Sequence, residues 1–287
     1  MSEYKLKSVR SDNKTLQRIN KVLIYIALIA LSIFTLIPFV WMLSSSLKLD
    51  REVFAFPMRW IPEICHWENY VVIWTKVPML TFFKNTAIVA LSVTLIQTLT
   101  SSFAAYAFAK LHFRGRDTLF LCYIATIAVP WQTYMIPQFV EMRAFGLYDN
   151  LYSIMVLQAF SAFGVFLMRQ FYQGIPTELC EAARIDGLSE YGIWARIMLP
   201  LSKAAIATLV IFTFIGTWND YMGPMIYLSH DSVKTVQVGL RRFIQENSSD
   251  YHLIMAASMV SLIPVSIVFL CLQKYFIEGI ATSGLKG

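Results

Sequence analysis

The stretch EAARIDGLSEYGIWARIMLPL, residues 181–201, decides how this chain is read. It carries Glu181, Arg184, Asp186, Glu190 and Arg196, and Gly187 and Gly192 interrupt it. Long apolar runs stand on both sides. What a polar, glycine-broken segment does between two such runs depends on the topology around it.

Composition sets the class. The chain has 287 residues, 57% hydrophobic and only 15% charged, against about 25% charged in a soluble domain. It also holds 21 Phe and 14 Tyr. These proportions point to a membrane protein. The formal charge of +6 follows membrane topology, worked out below, and no nucleic-acid partner is expected. Cys65, Cys122, Cys180 and Cys271 lie far apart without a CxxC pair, so neither a disulfide framework nor a zinc site is expected. His66, His112, His230 and His252 are scattered. No metal and no cofactor is anticipated. The first apolar run, residues 22–47, has 26 uncharged residues. That exceeds the roughly 7–15 of a signal-peptide core, so it should remain as an anchor.

Crossing ~30 Å of hydrocarbon takes roughly 20 apolar residues. Six runs meet or approach that: residues 22–47, 85–109, 118–140, 150–168, 204–219 and 253–273. The expected spans lie near 22–47, 85–109, 118–140, 150–170, 202–224 and 253–274. They must be helices, since lipid cannot satisfy an open backbone. Pro130 and Pro137 predict a kink or break in the third. Fifteen of the 24 Lys and Arg fall on one side: the first tail, the second and fourth connections, and the last tail. By the positive-inside rule both termini are cytoplasmic. The expected division is a cytoplasmic tail at 1–21, a membrane domain at 22–277 and a second tail at 278–287. Loops 48–84 and 225–251 then lie outside, with Trp60, Trp67 and Trp74 suited to the interface, and residues 177–200 lie inside.

Local chemistry shapes the inner segment into two short helices. Thr177 suits an N-cap after Pro176, with Glu178 in the first turn. Gly187 can end this helix in the left-handed region. Ser189 can cap a second helix running to Leu199, which Pro200 breaks. Ala182 and Ala183 offer a small-residue face for close approach. The residues alone fit either an ordinary solvated connection or a docking segment.

The stretch resembles the EAA motif of permease subunits in binding-protein-dependent ABC importers. Glu181, Ala182, Ala183, Asp186, Gly187, Leu199, Pro200 and Leu201 match at the family's spacing; Leu188 stands where Ala is usual and Trp194 where Phe is common. FTFIGTWNDYMGPMIYL (212–228) and QKYFIEGIATSGLKG (273–287) resemble the fifth span and tail of the maltose and multiple-sugar branch, with Ser283 and Gly284 departing from its pattern. The short N-tail and six spans resemble the smaller permease of the maltose system. The resemblance implies the all-α fold of a polytopic membrane protein: six transmembrane helices and a cytoplasmic coupling helix pair, the type I ABC importer permease fold. It implies that Glu181 meets an ATPase while Asp186 and Gly187 shape the turn. The partners it implies are a second permease in a heterodimer, two cytoplasmic ATPase subunits and an extracytoplasmic solute-binding protein, in the plasma (inner) membrane of a prokaryote. In this branch the larger partner holds most substrate contacts.

Chemistry elsewhere is spare. GxxxxGK[ST], HExxH, GxSxG and GxGxxG are all absent, so no enzyme activity is expected and ATP must be handled on a separate subunit. Trp218, Asn219, Asp220 and Tyr221 are the candidate lining of a translocation path, because polar groups within a span usually face a cavity; an interfacial belt is the other reading. The resemblance also implies that loop 225–251 meets the binding protein, with Arg241 and Arg242 as candidate charged contacts. The expected function is half of the path for a sugar or oligosaccharide, coupled to ATP hydrolysis through the EAA motif. The alternative, an ion-coupled secondary carrier, calls for buried carboxylates, and the first four spans have none.

Overall fold

The computed structural model describes residues 2–244 and 250–284, with side chains described for 16–244 and 250–277. Helix α1 covers Ser2–Ser46 and α2 Asp50–Val53. Next come α3 (Asn69–Lys76) and the 32-residue α4 (Met79–Lys110). Helices α5 (Arg116–Ala125) and α6 (Met135–Ala144) are joined by two 3-10 turns. Then follow α7 (Leu151–Leu157) and α8 (Ala162–Gln173). Helices α9 (Glu178–Ile185) and α10 (Glu190–Ile193) lead through a π turn, Trp194–Met198, into α11 (Leu199–Leu201). The chain ends with α12 (Lys203–Trp218), α13 (Met222–Tyr227), α14 (Val236–Leu240) and α15 (Tyr251–Gly284). Among the described residues there is no strand element.

Among the described residues, three segments are long and apolar enough to cross a membrane: Leu16–Ser46, Met79–Lys110 and Tyr251–Ile277. Two bent pairs qualify when each is taken as one span: α7 with α8, bent by 44°, and Glu190–Leu201 with α12, bent by 83°. The expected third span is broken. Pro130 adopts an extended conformation between the two 3-10 turns, which ends α5 early. Pro137 falls in the first turn of α6, where its missing N–H costs nothing. The expected fourth span bends at residues 158–161. The expected tails merge with their helices: α1 begins at Ser2 and α15 continues to Gly284. Residues 245–249 of the expected outer loop lie outside the described residues.

The chain divides into two compact units, residues 1–70 with 250–259, and 71–249 with 260–287. In the first, Asn69 Nδ2 donates to the Ser46 and Lys48 carbonyls at 2.9 Å each, capping the end of α1. Ser46 Oγ meets the Tyr70 hydroxyl at 2.7 Å. Asp50 accepts the Tyr251 amide at 2.8 Å. In the most apolar 18-residue window of α1 no residue is buried within the chain.

The second unit is organised by α4, which packs against α8 and α12. The bend between α7 and α8 leaves carbonyls without helical partners, and α4 answers them. Gln97 Nε2 donates to the Gln158 carbonyl at 3.0 Å and Thr100 Oγ1 to the Ala159 carbonyl at 2.8 Å. Ser161 caps α8 by accepting from Gly164 N. At the other end of α4, Asn85 Nδ2 donates to the Ser232 and Lys234 carbonyls, and Thr86 Oγ1 accepts from Val236 N. Here Gly239 of α14 lies against Phe82, which is fully buried; a Cβ at residue 239 would come within 2.2 Å of the ring. Gly239→Ala should therefore overpack this contact and lower stability by about 1–3 kcal/mol. Thermal unfolding of the purified protein checks this: a lower melting temperature for Gly239→Ala, partly restored by a second change, Phe82→Leu, is the expected result.

Candidate functional site

The segment after α8 is shaped as its sequence suggests at two of its four turns. Gly187 has φ +81°. Its amide donates to Arg184 O at 3.0 Å and the Leu188 amide to Ala183 O at 2.9 Å, the paired bonds of a glycine-terminated helix. Ser189 Oγ accepts from Gly192 N at 3.3 Å and starts α10. Thr177 precedes α9, but its hydroxyl makes no cap; it faces Lys110 Nζ at 3.4 Å instead. The break expected at Pro200 lies two residues later, at Ser202. The wider π turn before Pro200 seats its ring without the usual clash against the carbonyl four residues back.

One face of this segment is bolted inward. Cys180, Ala183, Ile193 and Met198 are buried against Tyr106, Phe120, Met168 and Tyr172. Polar contacts reinforce the seat. Lys110 Nζ donates to Ile175 O at 2.5 Å, and Trp194 Nε1 to Ser102 Oγ at 2.8 Å. The Tyr106 hydroxyl donates to Glu190. Glu190 also takes Arg184 Nε at 2.7 Å and Nη2 at 3.2 Å. Arg184 thereby holds the Glu190 carboxyl below the usual glutamate range, against burial and with help from the Tyr106 hydroxyl. The two alanines expected on one face separate: Ala183 is buried and Ala182 exposed. The outer face carries Glu181, Ala182 and Asp186 together with Leu179, Tyr191 and Ile185, the last 87% exposed. Sequence reading passed over Leu179 and Ile185, although with Ala182 they recur every three residues, the spacing of one helix face.

The four candidate path residues do not act together. Trp218 is packed against Ala90 and Phe214, and its Nε1 donates to the Ser261 carbonyl at 3.1 Å. At 2% exposure it faces the interior of the chain and lines neither cavity described below. Asn219 is exposed and accepts from Gln237 Nε2 at 3.1 Å. Asp220 accepts Gln158 Nε2 at 2.8 Å and the Gly223 amide at 3.1 Å. It lines a cavity of about 230 Å³ with Trp131, Tyr134, Gln138, Gln158 and Tyr227. This cavity opens where the third, fourth and fifth expected spans all break, the setting in which irregular backbone is tolerated within a membrane. Gln138 accepts from Trp131 Nε1 at 2.9 Å, which leaves its amide nitrogen for the cavity.

Tyr221 belongs to a second cavity, of about 340 Å³, with Tyr148, Lys234, Arg241 and Arg242. Arg242 and Lys234 both bind Asp231 and hold its carboxyl below the usual aspartate range. Arg241 donates to the Tyr221 hydroxyl at 2.6 Å and pairs with no carboxylate among the described residues. Those residues hold no cluster able to bind a metal ion.

Comparison with known proteins places this geometry. The family model described as "Binding-protein-dependent transport system inner membrane component" matches residues 97–282. The arabinooligosaccharides transport system permease protein AraQ of Bacillus subtilis is 30% identical, over 90% of this chain and 92% of its own. The melibiose/raffinose/stachyose import permease protein MelC of the same organism is 32% identical, over 88% and 91%. A chain from the crystal structure of a bacterial ABC transporter involved in import of the acidic polysaccharide alginate superposes with a TM-score of 0.79. It is 27% identical, and the match covers 90% of this chain and 97% of that one.

The Arg184–Glu190 pair makes a prediction about pH. A lowered folded pKa means that the pair's contribution is complete above the ordinary glutamate value and is lost only as pH falls through the lowered one. Amide exchange across residues 178–193, corrected for intrinsic rates, should therefore be the same at pH 8 and pH 6. Glu190→Gln should speed exchange in that segment several-fold at both values while leaving residues 232–240 unchanged. Equal exchange in the variant and the parent would show the pair to be idle.

Proposed function

The chain belongs to the family of binding-protein-dependent transport system inner membrane components, as a permease subunit of an ABC importer, and from that premise we propose what each part of it does. It passes a sugar or oligosaccharide across the inner membrane of a prokaryote. It pairs with a second permease, couples to two ATPase subunits and receives substrate from an extracytoplasmic binding protein. Six spans with both termini cytoplasmic fit the distribution of Lys and Arg; the broken run 116–144 supplies the third. The family and the relatives favour this reading over an ion-coupled carrier.

One observation carries the coupling role. Residues 177–200 present an exposed acidic and apolar face while their opposite face is seated on α4 and α8. A solvated connection needs no such seat, whereas a force-bearing dock does. Glu181 and Asp186 then meet the ATPase, with Ile185 and Leu179 as apolar anchors; burying one such side chain is worth roughly 1.5–3 kcal/mol. Ala182 lets the surfaces approach, and Ala183 and Pro200 fix the segment from behind. ATP-driven closure of the ATPase pair moves the docked segment, and α4 and α8 follow as one body. Asn219, Asp220 and Tyr221 line the path. The cavity beside Asp220 offers a sugar ring the faces of Trp131 and Tyr134 and the amides of Gln138 and Gln158.

Gly187 tests the dock. No atom lies within 4 Å of a Cβ added there, so a substitution acts through backbone conformation alone. Gly187→Val should strain the turn by about 1–3 kcal/mol and abolish coupled transport. Gly187→Asn, which tolerates the left-handed region, should retain most of it. Glu181→Lys should insert and pair normally but lose bound ATPase. Full ATPase retention and normal substrate-stimulated hydrolysis in Gly187→Val and Glu181→Lys would remove the coupling role.

The outer face has its own test. Arg241 and Arg242 are proposed to contact the binding protein, where surface charges chiefly set association. Reversing both to Glu should weaken stimulation of ATP hydrolysis by loaded binding protein, most strongly at low salt, with the complex still assembled. Unchanged stimulation at every salt concentration would count against the contact.

A further inference from the structure

The end of α1 is wrapped by the residues that follow it. Ser44 Oγ donates to the Trp60 carbonyl at 2.5 Å. The Trp41 and Trp60 rings meet edge to face, 5.5 Å apart. Lys48 Nζ donates to the Arg59 carbonyl at 2.5 Å and stands 4.4 Å above the Trp41 ring. Residues 59 and 60 therefore turn back alongside the last turns of the helix instead of projecting beyond it.

The depth of that return follows from length. At ~1.5 Å per residue the 26 uncharged residues 22–47 measure about 39 Å, against ~30 Å of hydrocarbon. Centred in the bilayer, α1 leaves the hydrocarbon near Ser44, and Trp41 sits one turn inside. Trp60, in contact with both, lies at the boundary. Trp rings at this level with a Lys just beyond them are the composition of a membrane interface.

The loop that carries Arg59 and Trp60 exposes apolar side chains. Phe56 is 97% exposed, Ile61 82% and Ile64 68%, with Met58 and Trp67 also more than half exposed. Its charges are turned on one another, Arg59 pairing with Glu63. The loop follows α1 directly, and the most apolar window of that helix has no buried residue. An occupant must be apolar on one side and wet on the other, at the level where the helix leaves the hydrocarbon.

We propose that residues 54–64 form an interfacial lipid anchor, with Phe56, Ile61 and Ile64 inserted among the phospholipid headgroups and upper acyl chains around the Ser46 end of α1. The anchor rests on α1 crossing the membrane. It fixes the height and tilt of that helix in the leaflet.

Nitroxide accessibility tests this. The four native cysteines are replaced, and single cysteines are placed at Ser32, Phe56, Ile61 and Ser229. The labelled chain is assembled into the full importer in nanodiscs of phosphatidylcholine and phosphatidylglycerol. Relaxation by oxygen, which concentrates in lipid, is compared with relaxation by a water-soluble nickel chelate. Oxygen should dominate at Ser32 and, at shallower depth, at Phe56 and Ile61, whereas the nickel chelate should dominate at Ser229. A lipid-exposed Ser32 with water-exposed residues 56 and 61 overturns the anchor and leaves α1 as a span. Shielding of residues 56 and 61 from both reagents also overturns it, because protein then covers them. A water-exposed Ser32 removes the span itself and the anchor with it.

Discussion

Lipid offers a peptide carbonyl no hydrogen bond, and each one left bare costs several kcal/mol. That constraint explains the central place of α4. The bend between α7 and α8 exposes carbonyls within the membrane region, and Gln97 and Thr100 reach across to satisfy them. Thr213 in turn donates to the Gln97 side chain at 2.6 Å, and Thr217 to the Gln158 side chain at 3.0 Å. A polar seam thus runs from α4 through the bend to α12 and ends at Asp220. Without it the fourth span could not bend, and the cavity beside Asp220 would close.

What the sequence disclosed depended on the range of the interactions involved. Gly187 and Ser189 were legible because a left-handed helix end and a serine cap are settled within four residues. Pro130 was legible for the same reason. The bend at 158–161 was not, since its partners lie about sixty positions earlier and nothing in the run 150–168 looks discontinuous. Trp218 was open to two readings because an indole suits both a path and a core. The Ser261 carbonyl that decides for the core lies 43 residues away in sequence. The Thr177 hydroxyl gave up its cap to a lysine from another helix. Ile185 went unnoticed because a solvent-facing isoleucine in a polar segment carries no signal until the buried face is known.

The polar and apolar contacts of residues 177–200 divide the work between them. Burial of Cys180, Ala183, Ile193 and Met198 supplies adhesion without direction. The bonds that Tyr106 and Lys110 donate and that Ser102 accepts from Trp194 supply orientation, because each has a fixed length and angle. A segment held only by apolar contact could slide on α4; one held only by hydrogen bonds at a wet surface would exchange them for water. Together they make a surface patch that is both exposed and aimed.

Helix α4 contains neither glycine nor proline, so it has none of the usual places to kink. Its first turns grip the loop that carries Lys234 and Arg242, and its last turns grip the segment that carries Glu181. A helix without a hinge, fastened at both ends, carries a displacement of one end to the other. In the pairing with a second permease proposed above, a swing of the coupling end toward the partner would swing the other end away, so the two mouths of the path would not part together. The seal against leakage would then be a matter of stiffness, independent of which solute occupies the middle.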